Sequence, residues 1–525
     1  MKIRIFVTLV ALATFFPAAA EPPAGIDKRI EELRSASGLP GLAIAIVEDG
    51  RTTLARGYGV RKMGGIDPVD ANTVFMTGST GKAVTVAALA TLVDAGKLGW
   101  DDKVIDRLPG FQMYDPWVTR EMTIRDLLVH RSGLGLGAGD LMFVPRSNRT
   151  RANIVAALRH IKPATSFRSG YAYDNILYTV AGALIEAVSG QSYESYLRQH
   201  IFKPAGLLTA TSDEPTRLAT ANRAYPHGRN SGAVRGLGPL QPLDETDQLG
   251  AASTPAGLLA MSANDLAKWI KIQLAQGKTE NGGRLFSEVA SAEMWNPQTI
   301  QPIGPVPPGF EATRPMFKAY ALGWEVADYG GAKIISHSGG VFGFITMVVL
   351  IPEKNVGFAI TMNAEEGAVR RGLTYELIDH YLGRPHVDWA GRYKTLISAM
   401  LANANAAVAA KAVASAKIGP SLALDRYVGG YKDPWYGRIT VSRGKTGLAI
   451  DFNETPRMDG RLVHYQYDTF IARFGDRNIE PAYVTFRLDA DGKVERITMK
   501  PVSPTADFSF DYQDLDFTPI AAALR

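Results

Sequence analysis

Apolar positions change their spacing several times along the chain, and those changes outline its elements. Ile26, Ile30 and Leu33 recur at the interval of one helix face, so Gly25 to Ala36 reads as an amphipathic helix. Leu42 to Val47 is a compact apolar run, Asp49-Gly50 is a tight-turn dipeptide, and Thr52 to Tyr58 returns as a second strand. A mostly helical region follows, including Ala83 to Asp94, Ile124 to Leu128 and Asn175 to Ser189. Strands resume at Lys333 to Ser336, Thr346 to Ile351 and Val356 to Asn363, with Glu353-Lys354-Asn355 as a turn. Asp388 to Lys417 is alanine-rich and helical in pattern, and Gly419-Pro420 stops it. Beyond that point the segments are short and alternating: Ile439 to Ser442, Leu448 to Phe452, Phe470 to Phe474, Ala482 to Leu488 and Lys493 to Lys500. That texture predicts a separate small β barrel or sandwich. Two stretches break the periodicity, Ala221 to Thr254 and the proline-rich Pro302 to Pro315; loops of this kind are expected to wall a cleft.

The first twenty residues have a different character. Lys2 and Arg4 precede an apolar run from Ile5 to Phe16, and Ala18-Ala19-Ala20 offers small residues for cleavage before Glu21. This is the order of a secretory signal, too short to span a bilayer comfortably, and no later stretch reads as apolar enough to span. The expected organisation is a signal peptide at 1–20, a main domain at 21–395, an alanine-rich helical linker at 396–420 and a β-barrel-like domain at 421–525. The expected location is periplasmic or secreted. At 525 residues the chain exceeds what a single core organises.

Composition narrows the chemistry. Without cysteine the chain has no disulfide, no thiol nucleophile and no thiolate ligand. Its eight histidines are dispersed and form no H-E-x-x-H, so neither a metal site nor a cofactor is expected. The net charge of +5 is spread among residues of both signs with no basic block, which argues against nucleic acid as a partner. A small-molecule or peptide substrate remains, with self-association possible.

Ser79 and Lys82, in Gly78-Ser79-Thr80-Gly81-Lys82, precede the helical stretch from Ala83. Residues three apart share a helix face, so both can point into one cavity. A serine hydroxyl needs a base, and a lysine serves only if burial and positive potential bring its pKa towards neutrality. A helix N-terminus supplies such potential, and its free N–H groups can hold an oxyanion. A second element, Tyr171-Ala172-Tyr173-Asp174-Asn175, offers Tyr173 as a proton relay held partly as phenolate beside the lysine. Asn175 is placed to hydrogen-bond Lys82 or a substrate carbonyl, or else to cap the following helix. In a third, His337-Ser338-Gly339-Gly340, the small Gly339 lets a substrate backbone approach the strand edge, and the Gly340 N–H completes an oxyanion site.

These three elements, in order, resemble those of the β-lactamase-like serine hydrolases: class C β-lactamases, DD-peptidases, D-aminopeptidases and related esterases. The phrases from Met122 to Leu134, Pro255 to Leu259 and Leu322 to Trp324 fit as well. The resemblance, from about Ile26 to Gly383, implies an α+β, β-lactamase/transpeptidase-like fold with an antiparallel sheet, flanking helices and a helical subdomain. It implies a Ser79 acyl-enzyme with Lys82 and Tyr173 as general base and acid, and N–H groups of Ser79 and Gly340 in the oxyanion hole. One departure stands out: where the β-lactamases carry K-T-G, this chain has His337. The literal Lys445-Thr446-Gly447 lies between two strand-like runs of the tail and reads as a hairpin turn. The histidine favours peptide substrates containing D-amino acids, or esters, over β-lactams. A class C-like β-lactamase and a catalytically silent penicillin-binding sensor are the alternatives. The tail resembles the barrel domains that follow this fold and in some relatives restrict the cleft; a plain stabilising or dimerising role is the equal alternative. A Ser-His-Asp hydrolase is disfavoured, because no G-x-S-x-G occurs and His130 fits a structural support better.

Overall fold

Every residue of Gly41–Glu48 (β1) is buried, so this strand needs apolar side chains on both faces and a sheet that is covered on both sides. Arg51–Gly59 (β2) follows through Asp49 and Gly50, both at positive φ, as the Asp-Gly dipeptide predicts for a two-residue hairpin turn. The remaining strands are Thr299–Ile300 (β3), Lys318–Tyr320 (β4), Glu325–Tyr329 (β5), Ala332–Val341 (β6), Phe344–Ile351 (β7) and Val356–Met362 (β8). Together they form one antiparallel sheet in the order β2-β1-β8-β7-β6-β5-β4-β3. The structure, a computed structural model, describes residues 21–246 and 248–520. The export signal expected at 1–20 lies outside the described residues.

Helices cover both faces of the sheet. Ile26–Ser37 (α1) and Gly367–Tyr381 (α5) close one face, where Ile30, Val369, Leu373 and Leu377 meet Leu42, Ile44, Phe358 and Ile360. On the other face lie Ala263–Leu274 (α4) and a helical region built round Lys82–Asp94 (α2) and Ile176–Ser189 (α3). Both α2 and α3 are apolar nearly all round, the mark of helices enclosed by the core rather than laid on it. The expected helix at 124–128 is only a single 3-10 turn, Arg125–Leu127.

Trp389–Ala414 (α6) runs unbroken through residues 395 and 396. Its first turns are anchored: Trp389 Nε1 donates to Asp379 at 2.6 Å, and Tyr393 packs on Phe310. Contrary to the sequence reading, α6 is long and apolar enough by composition to cross a membrane. Its alanines raise the hydropathy while offering little surface to bury.

Eight antiparallel strands then close a barrel: Gly429–Asp433 (β9), Gly437–Gly444 (β10), Gly447–Phe452 (β11), Asp459–Gln466 (β12), Thr469–Phe474 (β13), Ala482–Leu488 (β14), Val494–Pro501 (β15) and Asp516–Pro519 (β16). Lys445 and Thr446 form the exposed tip of the β10–β11 hairpin, as expected of the K-T-G string. The barrel is bonded to the main domain by Arg149 to the Tyr436 carbonyl, Asn230 to Asn478 at 2.9 Å and Arg457 to Asp244 at 3.1 Å.

One close helix contact in the main domain rests on a glycine. A Cβ on Gly372 of α5 would lie 2.4 Å from the Cα of Ala390 of α6. Gly372→Ala is therefore expected to force the two helices apart and to destabilise the protein by about 1–3 kcal/mol. Urea or thermal denaturation reads this out, and unchanged stability would show that the α5–α6 contact is loose.

Candidate active site

Three chain segments converge on Ser79, and glycine makes the convergence possible. Phe75–Met76 pairs with Ala260–Met261, and Gly78–Gly81 then winds one 3-10 turn that runs straight into α2. A Cβ on Gly78 would lie 2.5 Å from the Gly340 nitrogen, and one on Gly257 would lie 2.8 Å from the Gly78 carbonyl carbon. One on Gly339 would lie 2.0 Å from the Thr77 oxygen and 2.9 Å from the Ser79 nitrogen. Any side chain at these positions would push β6 or the 254–257 turn off the serine. The Ser79 hydroxyl thus sits at the start of α2, where free N–H groups carry partial positive charge, with the Gly340 backbone beside it.

His337 to Gly340 lie inside β6, not beyond its end as the sequence suggested. Pairing with β7 continues to Val341, opposite Phe344, whereas pairing with β5 stops at Ser336, opposite Glu325. The edge from His337 onward is consequently unpaired by β5, and it faces a cavity of about 1080 Å³ lined by Ser79, Tyr173, Asn175, His337, Gly340 and Phe508. Arg229, Arg235, Leu249 and Ser253 of the long 221–254 segment also line it. The 302–315 segment does not, which corrects the expectation that both loops wall the cleft. Its Phe310 is drawn instead into an apolar cluster with Trp389 and Tyr393.

Lys82 is fully buried. Its Nζ lies 3.0 Å from Ser79 Oγ, 2.7 Å from Asn175 Oδ1 and 2.7 Å from the Ala256 carbonyl oxygen. Burial lowers its pKa to about 7, opposed by the charges of Asp140 and Asp174. As a neutral amine, Lys82 has two hydrogens and one lone pair. The Asn175 and Ala256 oxygens can only accept, so they take the hydrogens, and the lone pair is left facing the Ser79 hydroxyl. The Asn175 amide is oriented by its other end, because Nδ2 donates to Asp140 Oδ2 at 2.7 Å. Its side chain makes no capping bond to α3, so the capping role does not apply.

Tyr173 lies beside this pair, with Lys82 Nζ 4.8 Å from its ring centroid. Burial raises its phenol well above 10, against the pull of the Ser79 hydroxyl, so the resting side chain is a phenol and not the phenolate expected from sequence. His130 packs tilted against the ring, with centroids 4.2 Å apart, and its Nδ1 accepts the Asp174 N–H at 3.2 Å, which makes it a brace for Tyr173.

His337 is spoken for at both nitrogens. The Ser338 carbonyl, 2.7 Å from Nδ1, can only accept, so Nδ1 carries the hydrogen and Nε2 accepts the Tyr320 hydroxyl at 2.8 Å. Burial first, and the Lys82 charge second, push its pKa down to about 4. The position that holds a lysine in K-T-G is therefore uncharged here. Sequence reasoning missed Asp140, Tyr320, the Ala256 carbonyl and the barrel residues Phe508 and Ser509. Only the Pro255-Ala256-Gly257 phrase carried any signal for them.

Comparison with known proteins agrees with this architecture. A family model described as Beta-lactamase matches residues 26–382, and a domain of unknown function, DUF3471, matches 413–519. The chain is 30% identical over 426 residues to the unguisins hydrolase ungD' of Aspergillus campestris, covering 77% of this chain and 74% of that protein. It is 28% identical over 370 residues to penicillin-binding protein 4 of Amycolatopsis lactamdurans, covering 68% and 88% respectively. The octameric penicillin-binding protein homologue from Pyrococcus abyssi shares the fold at a TM-score of 0.57 with 20% identity, covering 90% of this chain and 97% of that one. With the family model spanning more than half of its length, the chain belongs to the beta-lactamase family of serine hydrolases.

Proposed function

We propose that the protein is an exported hydrolase that cleaves peptides containing D-amino acids, or esters, through an acyl-enzyme on Ser79. The observation that carries this reading is the buried Lys82 Nζ 3.0 Å from the Ser79 hydroxyl oxygen. Ser79 Oγ attacks the substrate carbonyl carbon as its proton passes to Lys82 Nζ. The oxyanion forms at the Ser79 and Gly340 N–H groups, in the positive potential of α2. When the carbon–nitrogen or carbon–oxygen bond breaks, the Tyr173 hydroxyl donates its proton to the leaving group and is recharged from Lys82. Water then attacks the ester on Ser79, and the same groups return the proton to Oγ.

The substrate class rests on His337. A neutral imidazole with both nitrogens engaged supplies no cation for a carboxylate beside the scissile bond, so acyl groups without that charge suit the site. The relative that is named a hydrolase of unguisins supports turnover. The relative named penicillin-binding protein 4 favours a second reading, a penicillin-acylated protein or class C-like β-lactamase. Placement in the periplasm or outside the cell follows from the sequence of residues 1–20, and a homo-oligomer is consistent with the octameric neighbour.

A fluorophosphonate probe is expected to label the protein and not Ser79→Ala; labelling that persists in the variant excludes Ser79 as nucleophile. Lys82→Ala should slow labelling by about a thousandfold or more, the scale seen when one member of a catalytic unit is removed. Nitrocefin beside p-nitrophenyl esters and D-amino-acid p-nitroanilides separates the two substrate readings.

Lys82 must be neutral to accept a proton. Activity is lost below its pKa and gained above it, so kcat/KM is expected to rise through about pH 7. An acid limb near 4 would point to a carboxylate base instead. Gly339→Ala places a methyl against the Thr77 oxygen and is expected to cost about a hundredfold in kcat/KM, with the circular dichroism spectrum retained.

A further inference from the structure

The C-terminal barrel reaches the catalytic lysine through a continuous chain of hydrogen bonds. The segment between β15 and β16 lies against residues 137–141 of the hydrolase domain. Phe508 packs on Gly137, where a Cβ would lie 2.6 Å from the Phe508 oxygen, and its ring meets Tyr173 edge-on at 5.8 Å. Asp511 accepts the backbone N–H of Gly139 at 2.6 Å and of Leu141 at 3.0 Å, gripping the two residues that flank Asp140. Between these contacts the buried Ser509 donates to Asp140 Oδ2 at 2.8 Å. The same oxygen accepts Asn175 Nδ2, and Asn175 Oδ1 accepts Lys82 Nζ.

We propose that the barrel is a working part of the active site, with Ser509 a positioning residue that acts through Asp140 and Asn175 to direct the Lys82 lone pair at Ser79. The inference rests on the reading of Ser79 as the acylated residue. An amide can present either end to Lys82. Only when Asn175 turns Oδ1 towards the amine is the lone pair left for the serine, and it does so because Asp140 Oδ2 can only accept. Were that oxygen protonated, it would donate, the amide could invert, and Lys82 would lose an acceptor. The Ser509 hydroxyl occupies the oxygen and favours its ionised form.

Titration is where this arrangement shows. Burial raises the Asp140 pKa to about 7, and Ser509 and Asn175 work against that rise. Lys82 faces Asp140 from α2, and Asp507 and Asp511 face it from the barrel. Lys82 in turn faces Asp140 and Asp174, the neutral His130 and His337, and the Tyr173 and Tyr178 rings. Without the Ser509 hydroxyl, Asp140 takes up a proton at a higher pH and is less firmly held towards Asn175, so the pH profile of activity departs from that of wild type. Replacing Asp140 by asparagine keeps an acceptor for Asn175 but removes a negative charge from Lys82, so the acid limb of activity moves down.

The test uses the full-length protein, fluorophosphonate labelling rates, and p-nitrophenyl butyrate hydrolysis between pH 5 and 9, with wild type, Ser509→Ala, Ser509→Thr and Asp140→Asn compared. Ser509→Ala is expected to lose about tenfold in kcat at pH 7 with KM little changed, the scale of one hydrogen bond to a charged group. Its pH profile should differ from that of wild type. Ser509→Thr, which keeps the hydroxyl, is expected to stay within about threefold of wild type, and Asp140→Asn to shift the acid limb downward. Labelling at Ser79 with an unchanged rate and pH profile in Ser509→Ala overturns the inference and leaves the acyl-enzyme intact. Equal losses in Ser509→Ala and Ser509→Thr also overturn it, because a packing defect does not distinguish them by the hydroxyl. Absence of labelling in the wild type overturns the Ser79 reading and this inference with it.

Discussion

A lysine amine buried with no carboxylate among the described residues hydrogen-bonded to it is the constraint round which the rest of the structure is arranged. Such a group is held in a protein only if it gives up its charge readily or finds oxygen acceptors for its hydrogens, and Lys82 does both. Asp140 and Asp174 sit near enough to moderate the fall in its pKa but make no hydrogen bond to it. A direct ion pair would have kept the ammonium charged and useless as a base. Spacing Asp140 one residue away, through Asn175, leaves the amine poised near neutrality.

The same constraint explains where glycine is needed. To bury Lys82 and still expose Ser79, the turn at 78–81 must lie against β6 and against the 254–257 turn with almost no space between backbones. Gly78, Gly257 and Gly339 supply that closeness from three separate segments. The closeness also sets the Gly340 backbone beside the serine, so burial of Lys82 and the approach of Gly340 to Ser79 are one packing solution.

Much of this was legible in the sequence. The Ser79–Lys82 spacing, Tyr173 with Asn175, and the His337 element are local strings whose chemistry can be read without coordinates. β1, β8, α2 and the barrel segments are strongly patterned runs. What could not be read depends on long-range placement. β9, β12 and β16 were missed because Gly429–Asp433, Asp459–Gln466 and Asp516–Pro519 are short or too polar for clear alternation, and barrel closure rather than intrinsic pattern makes them strands. Asp140 lies in a glycine-rich stretch with no motif, and its partners Asn175 and Ser509 are 35 and 369 residues away. The protonated state of Tyr173 is a matter of burial, which a string of letters does not show.

His337 and Asp140 together describe how this site differs in charge from one built on K-T-G. On the β6 side the lysine is replaced by an imidazole that Tyr320 and the Ser338 carbonyl hold neutral, so no cation stands at the strand edge. On the opposite side the barrel brings up Asp507, and its Ser509 donates to Asp140 behind Asn175. Both changes make the potential at Ser79 less positive. A substrate carboxylate thus finds no lysine at the strand edge, and Arg229 and Arg235 are among the cations that line the rest of the cavity. The barrel and the histidine thus act in the same electrostatic direction, although one arises at the end of the chain and the other within the sheet.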